Sequence, residues 1–522
     1  MLLTELLLVF SVTFLIFLAG SLANRLVFRL FSLSMIGISS IGAYYIHFYN
    51  IVIGHGIVES VFTTEMDLIS EIVDLKLYIW IFVLGCLPGV IVWRAARAHT
   101  SILSLFSSKA TAIVTILTFV ASAALAMVCV KILNVADQRA AVRGQDVPSS
   151  ASLVAHRYLP SNWISGLGMW LSSAWQQNVE ARNLNKPSEQ YSWSVPPSLS
   201  DSVIVLVIGE TARWDHMSIL GYSRQTTPLL EKEEGLVAMR GESCDTSTAL
   251  SLRCMFVRPE GMETQESGIA IQKEDNVFSV FHHLGFSIDL FAMQAEVGFY
   301  SKTYADHYKI REVISSEAYN ARKPVDDTLL IREVQDSLAR WESKNSGKPH
   351  LIVLHTKGSH FSYIKRYPRE FAAFTPECSG SNMNCTQSQL INAYDKSILY
   401  TDFFLSSLID TLRNRKAFLF YVSDHGESID DDLHLHGTPK EVAPKEQFAV
   451  PFILWYSQNW LTDGPSSHRF EQLRKSSHET RKHTEIFDSL LGCAGIASPD
   501  GGIQPQRNWC NSKEAESSHA KQ

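Results

Sequence analysis

A chain of 522 residues is too long for one ordinary hydrophobic core, and its apolar residues crowd into the first quarter, which points to a membrane part and a soluble part. The formal net charge of -7, with a pI near 6.2, leaves no basic footprint and argues against nucleic acid as a partner. Of the eight cysteines, Cys86 and Cys129 lie in apolar segments. Cys244, Cys254, Cys378, Cys385, Cys493 and Cys510 fall in three short-range pairs further on. Such local pairs suggest disulfides and an oxidising compartment, and without CxxC spacing a cysteine zinc site is the weaker reading.

In chain order, the stretches 6–23, 30–49, 78–93 and 110–133 are apolar enough to cross a bilayer, which takes about 20 residues each. The third is short. Arg25 and Arg29 join the first two, and Arg94, Arg97 and Lys109 join the last two. The loop 54–76 carries Glu59, Glu65, Asp67, Glu71 and Asp74 instead. The positive-inside rule then makes the basic loops cytoplasmic and sets the acidic loop and everything after residue 133 outside. The acidic loop is either a solvated connector or, with Glu65 as its substrate-binding residue, a shelf for a lipid headgroup. With four spans the amino terminus also falls outside, although Met1 opens almost directly into an apolar helix with no basic flank. One more span upstream, or a different start, is expected.

From 134 to 200 the chain reads as a linker. Trp163, Trp170 and Trp175 lie close to helical spacing, as in a helix resting in the headgroup layer rather than an ordinary packed one. Pro187, Pro196 and Pro197 mark the entry to the soluble domain.

The run 203–208 is almost purely aliphatic and stops abruptly at Gly209, Glu210 and Thr211. It suits a parallel strand covered on both faces. Further strands are expected at 287–292, 351–355, 417–422 and 452–455, with helical stretches between them, so the soluble part reads as an α/β domain with a mainly parallel sheet. Ligand-bearing residues in such sheets sit just beyond strand carboxyl ends. Glu210, the cluster Lys357 to His360, and the pair Asp424 and His425 all occupy that position. Together they make an oxygen and nitrogen donor set for a hard-to-borderline metal. His434 and His436 follow within reach of the same rim. For a nucleophile, the segment between Cys244 and Cys254 offers Thr246, Ser247, Thr248 and Ser251 at the start of a helix. A hydroxyl there meets unpaired backbone N–H groups and a dipole that favours phosphate, and metal coordination would lower its pKa. Spacing alone does not choose among the four.

Read together, IGETARWDHMSILGYSRQTTP, SCDTSTALSLRCMF, KGSHFSYIKRYP, SDHGES and HLHGTPKEVAPKEQFAVP resemble the phosphoethanolamine transferases of Gram-negative inner membranes, members of the alkaline phosphatase and sulfatase superfamily. The resemblance implies an α-helical transmembrane domain followed by an α/β domain whose mainly parallel sheet has helices on both faces. It implies Zn2+ as cofactor, one tight site with a second substrate-linked metal as an option. Thr248 becomes the metal-bound nucleophile, Glu210, Asp424 and His425 the other zinc ligands, and His360 and His436 the substrate-side histidines. It also implies disulfides Cys244 with Cys254, Cys378 with Cys385, and Cys493 with Cys510.

The implied reaction moves phosphoethanolamine from phosphatidylethanolamine, through Thr248, to lipopolysaccharide. CDT at 244–246 and SHF at 359–361 depart from the lipid A members, and the closing SPDGG with Asn508-Trp509-Cys510 is similar to the branch that modifies the outer Kdo sugar of Kdo-lipid A. Family members have five spans, in line with one missing upstream. The expected organisation is a transmembrane domain 1–133, an interfacial linker 134–200, a periplasmic catalytic domain 201–510 and a disordered tail 511–522, in a monomer. The alternatives are transfer to the lipid A phosphate, another phosphate-ester enzyme of the superfamily, and a catalytically dead membrane sensor or scaffold.

Overall fold

The computed structural model describes residues 2–511 apart from 22–23, 64–72, 96–107, 143–149, 181–182, 265–269, 316–325, 345–346, 369–370, 372, 379–384 and 430–433. Glu65 and the tail from 512 lie outside the described residues. The chain divides into two units, one of Met1–Phe62, Ile69–Leu171 and Gly437–Ala443, the other of Thr63–Leu68, Ser172–His436 and Pro444–Gln522.

Hydropathy dictates the first unit. Among the described residues four helices are long and apolar enough to cross a membrane: Leu2–Ser21, Arg25–Tyr49, Leu75–Ala95 and Lys109–Arg139. At about 1.5 Å of rise per residue, the shortest of them covers about 30 Å, the thickness of a hydrocarbon core. Asn24 caps the second of them, its side-chain oxygen accepting from Leu26 N and Val27 N at 3.0 Å. The third span is longer than its apolar run of 78–93, since the helix starts at Leu75 behind the Asp74 cap and includes Lys76. It carries a π-turn at Phe82–Cys86, immediately before Pro88 removes a backbone donor. The tryptophans sit on a helix, Ser161–Glu180, with different surroundings. Trp163 is buried and donates its indole N–H to Ser39 Oγ at 3.1 Å, Trp170 stacks on Phe62 at 4.4 Å, and Trp175 is 70% exposed.

The second unit is built around central strands whose side chains are buried on both faces. The strands are β1 Val203–Gly209, β2 Leu236–Glu242, β3 Met262–Thr264, β4 Ala270–Gln272, β5 Ser287–Ala292, β6 His307–Ile310, β7 His350–His355, β8 Ala417–Ser423, β9 Ala449–Tyr456 and β10 Arg481–Lys482. Eight of them form one sheet in the order β10-β2-β9-β8-β1-β7-β5-β6, and β3 and β4 form a separate hairpin. Every residue of β1, β7 and β8 is buried, which requires cover on both faces. Strands β8, β1, β7, β5 and β6 run parallel, whereas β9 is antiparallel to both β8 and β2. The sheet is therefore mixed, with a parallel central block.

Helix Gln387–Leu412 starts in a capping box formed by Thr386 and Gln389. Asp402, on this helix, accepts from Leu230 N at 2.8 Å and Leu229 N at 3.0 Å. Burial outweighs those donors and pushes its carboxyl up to about 6. A raised folded value means that the proton is bound on folding, so this contribution to stability is present below the ordinary value of 3.8 and is lost as pH rises through about 6. The melting-temperature difference between Asp402→Asn and wild type is thus expected to move in favour of the variant from about pH 4 to about pH 6 and then level off. A difference independent of pH contradicts this assignment.

Candidate metal centre and active site

Register brings the site together. β1 lies between β7 and β8, with Ile208 opposite His355 and Gly209 opposite Ser423, and Ala292 of β5 is opposite His355. The residues just past these strand ends therefore converge on one edge of the sheet, where the crevices of open α/β sheets carry ligands. Glu210 leaves β1, Asp424 and His425 leave β8, Thr356 to His360 leave β7, and Gln294 leaves β5. The ladder persists for one further step, since Asp424 N donates to Gly209 O at 3.1 Å and Thr356 N to Ile208 O at 3.0 Å. Gly358, with φ of +46°, lets the turn after β7 lie against Glu210, for a Cβ there would stand 2.5 Å from the Glu210 carbonyl oxygen. Asp327 secures that turn by accepting from Lys357 N at 2.7 Å and Gly358 N at 2.9 Å.

Glu210, Asp424 and His425 are completely buried. The Nδ1–H of His425 donates to Gly426 O at 2.8 Å, which fixes the ring and leaves Nε2 facing the other ligands. That nitrogen is 3.3 Å from Glu210 Oε1, 3.3 Å from Asp424 Oδ2 and 3.3 Å from Thr248 Oγ1. Thr248, first residue of the helix Thr248–Cys254, also donates its hydroxyl to Glu210 Oε2 at 3.1 Å. The other hydroxyls have different surroundings. Ser251 Oγ donates to Asp245 O at 3.2 Å, and Ser247 Oγ is buried with no hydrogen bond among the described residues. Thr246 donates its backbone N–H to Asp245 Oδ1 at 2.8 Å. Disulfides join Cys244 to Cys254, Cys378 to Cys385 and Cys493 to Cys510, the first closing the loop that carries Thr248.

The electrostatics call for a cation. Burial works to raise both carboxyls. At Glu210 it is overcome by the hydrogen bond and charge of His425, with His360 and His436 adding to them, and the group is held well below the usual carboxylate range. At Asp424 burial wins, reinforced by the charge on Glu210, and the carboxyl is pushed well above that range. Burial would lower His425, yet the charges of Asp424 and Glu210 push it up to about 10. Protons thus hold two buried carboxylates together, and Asp424 Oδ2 still lacks a hydrogen-bond donor among the described residues. Two carboxylates, an imidazole nitrogen and a hydroxyl fit a divalent cation of borderline hardness. The ligand atoms of Glu210, Asp424 and His425 lie within 4.8 Å of one another.

Glu210, His360 and His436 form a second such group. The rings of His436 and His425 are 4.3 Å apart, and those of His360 and His436 5.5 Å. Burial pushes His360 down to about 3, so its imidazole is neutral, and its Nδ1–H donates to the Phe361 carbonyl. His436 Nδ1 lies 3.4 Å from the buried carboxylate of Glu427. His434 belongs to neither ligand group among the described residues. Three further residues enter the site unforeseen. Thr211 donates its hydroxyl to Glu210 Oε1 at 2.6 Å, Gln294 donates to Glu210 Oε2 at 2.6 Å, and Glu427 pairs with His436. The strand-end rule that singles out Glu210 also singles out Gln294, two residues beyond β5.

Comparison with known proteins gives the chain's family. Residues 9–162 match the family model described as phosphoethanolamine transferase EptA/EptB, and residues 202–496 match the sulfatase model. The chain is 43% identical to the Kdo(2)-lipid A phosphoethanolamine 7''-transferase of Escherichia coli strain K12, over 98% of this chain and 90% of that protein. It is 41% identical to the Salmonella typhimurium protein of the same name, with the same coverage. The integral membrane lipooligosaccharide phosphoethanolamine transferase A from Neisseria meningitidis shares the fold, with a TM-score of 0.78 at 24% identity over 96% of this chain and 90% of that one. The chain belongs to the phosphoethanolamine transferase family, and its second unit to the sulfatase family.

Proposed function

We propose that this protein is a multi-pass enzyme of the Gram-negative inner membrane that transfers phosphoethanolamine from phosphatidylethanolamine to the outer Kdo sugar of Kdo-lipid A. The observation that carries the chemistry is the position of Thr248 Oγ1, 3.1 Å from Glu210 Oε2 and 3.3 Å from His425 Nε2. The acceptor follows from the 43% and 41% identity to two proteins named for that reaction. The organisation is a membrane domain 1–133, an interfacial linker 134–200 and a periplasmic catalytic domain 201–510. Basic Arg25 and Arg29 at the start of the second span and Arg94 at the end of the third, with three disulfides beyond the last span, support a catalytic domain outside the cytoplasm.

Zn2+ held by Glu210, Asp424, His425 and Thr248 would supply the positive charge that makes an alkoxide available near neutrality and offsets charge on a phosphoryl group. In the first displacement Thr248 Oγ1, whose proton would pass to solvent water when the cation is loaded, bonds as the alkoxide to the phosphorus of phosphatidylethanolamine, while the bond from phosphorus to the glycerol oxygen breaks. Diacylglycerol leaves as the alcohol after taking a proton. In the second, an acceptor sugar hydroxyl gives up its proton and bonds to phosphorus, the bond to Oγ1 breaks, and Thr248 is restored as the alkoxide. His436, oriented by Glu427, is the group placed to give the first proton and take the second. Neutral His360 beside it presents a lone pair to the same space. A second reading of Glu210, His360 and His436 is a second cation brought with substrate, since their ligand atoms also lie within 4.8 Å of one another.

The test is incubation of the purified zinc-loaded protein with phosphatidylethanolamine alone. One equivalent of diacylglycerol and a phosphoethanolamine adduct on the peptide containing Thr248 are expected. Steady donor hydrolysis with no adduct on any hydroxyl would remove the double displacement.

A further inference from the structure

Glu210 is held by more than its fellow ligands. Gln294 is buried two residues beyond β5, anchored because Met293 N continues the ladder to His355 O at 2.9 Å. Its Nε2 is 2.6 Å from Glu210 Oε2 and 3.0 Å from Thr356 O. Neither acceptor carries a proton to give back, so both amide N–H groups are used. A flipped amide would set its carbonyl against a carboxylate and a carbonyl, which fixes the orientation. Thr356 is itself locked to β1 through its N–H on Ile208 O at 3.0 Å.

The other carboxylate oxygen is held from the opposite side. Thr211 Oγ1 donates to Glu210 Oε1 at 2.6 Å, while Thr211 N donates to Asp424 Oδ1 at 3.1 Å. To do both, Thr211 adopts a φ of +61°, a costly conformation for a β-branched residue. A carboxylate oxygen offers about two lone pairs. Gln294 and Thr248 occupy those of Oε2, and Thr211 occupies one on Oε1. The lone pair that no neutral donor takes is on Oε1, the oxygen that His425 Nε2 faces at 3.3 Å.

We propose that Gln294 is a positioning residue that fixes the Glu210 carboxylate with Oε1 toward the cation and thereby sets the metal affinity of the site. The inference rests on the reading of Glu210 as a metal ligand. Removing the amide takes away the shorter of the two hydrogen bonds to Oε2, leaves Thr248 and Thr211 as the remaining donors to the carboxylate, and deprives Thr356 O of this donor. Loss of such a partner to a ligand lowers metal affinity about 10- to 100-fold.

The test is a zinc titration of the full-length protein in detergent micelles, stripped with a chelator and then competed against a chromophoric one. Gln294→Ala and Gln294→Met are compared with wild type, the methionine variant keeping the buried volume should the alanine variant fail to fold. Circular dichroism at the titration temperature verifies folding. Zinc binding about 10- to 100-fold weaker in a folded variant is the expected result. Wild-type zinc affinity in a folded variant overturns the proposal, and if the donor KM rises at the same time Gln294 contacts substrate instead. A wild-type protein that binds no zinc overturns the metal reading of Glu210, and with it this proposal.

Discussion

Thr248→Ala is expected to lower transfer on the order of 10^4-fold or more, because loss of a nucleophile removes the covalent route as a whole. The Thr248 hydroxyl has hydrogen-bond contacts to both Glu210 and His425. Cys244 and Cys254 are bonded across this segment, so the backbone that carries a replacement side chain stays in place. Thr248→Ser keeps the oxygen and loses only a methyl group, and should retain measurable transfer. Rates of labelled phosphoethanolamine transfer, with peptide mapping of the adduct, check both variants. An adduct that survives in Thr248→Ala would move the nucleophile to a neighbour, with Ser247 the first to consider.

Asp424→Asn is expected to separate metal binding from folding. Without a cation, burial and the charge of Glu210 keep the Asp424 carboxyl protonated, so a neutral amide imposes little extra cost on the metal-free fold. The variant should therefore melt near the wild-type temperature when stripped of metal. Added zinc at about 100 times the wild-type Kd stabilises wild type by about 2.7 kcal/mol, and that gain should vanish in the variant together with transfer. Calorimetry with and without zinc reads both quantities. A full zinc-induced shift in Asp424→Asn would remove Asp424 from the ligand set.

Much of this was legible because strand ends announce themselves. An aliphatic run that stops at Glu210, and another that stops at Asp424 and His425, place ligands by the geometry of parallel sheets alone. Thr248 was separable from Thr246, Ser247 and Ser251 only by family resemblance, since a hydroxyl's direction depends on how its helix meets β1 and β8. Strand β9 was expected within a mainly parallel sheet, yet it is antiparallel. Aliphatic content carries no directional signal. Strands β2 and β6 escaped notice, for Arg240 and Gly241 interrupt the first and the second is only four residues long. The packing of Trp163 depends on Ser39, 124 positions earlier, which local spacing cannot encode.

The most direct test of the proposed activity is mass spectrometry of lipopolysaccharide fragments from cells with and without this protein, with Thr248→Ala as control. A phosphoethanolamine-sized gain on the Kdo fragment, absent in Thr248→Ala, is the predicted result. A gain confined to the lipid A fragment, or one that persists in Thr248→Ala, would contradict it.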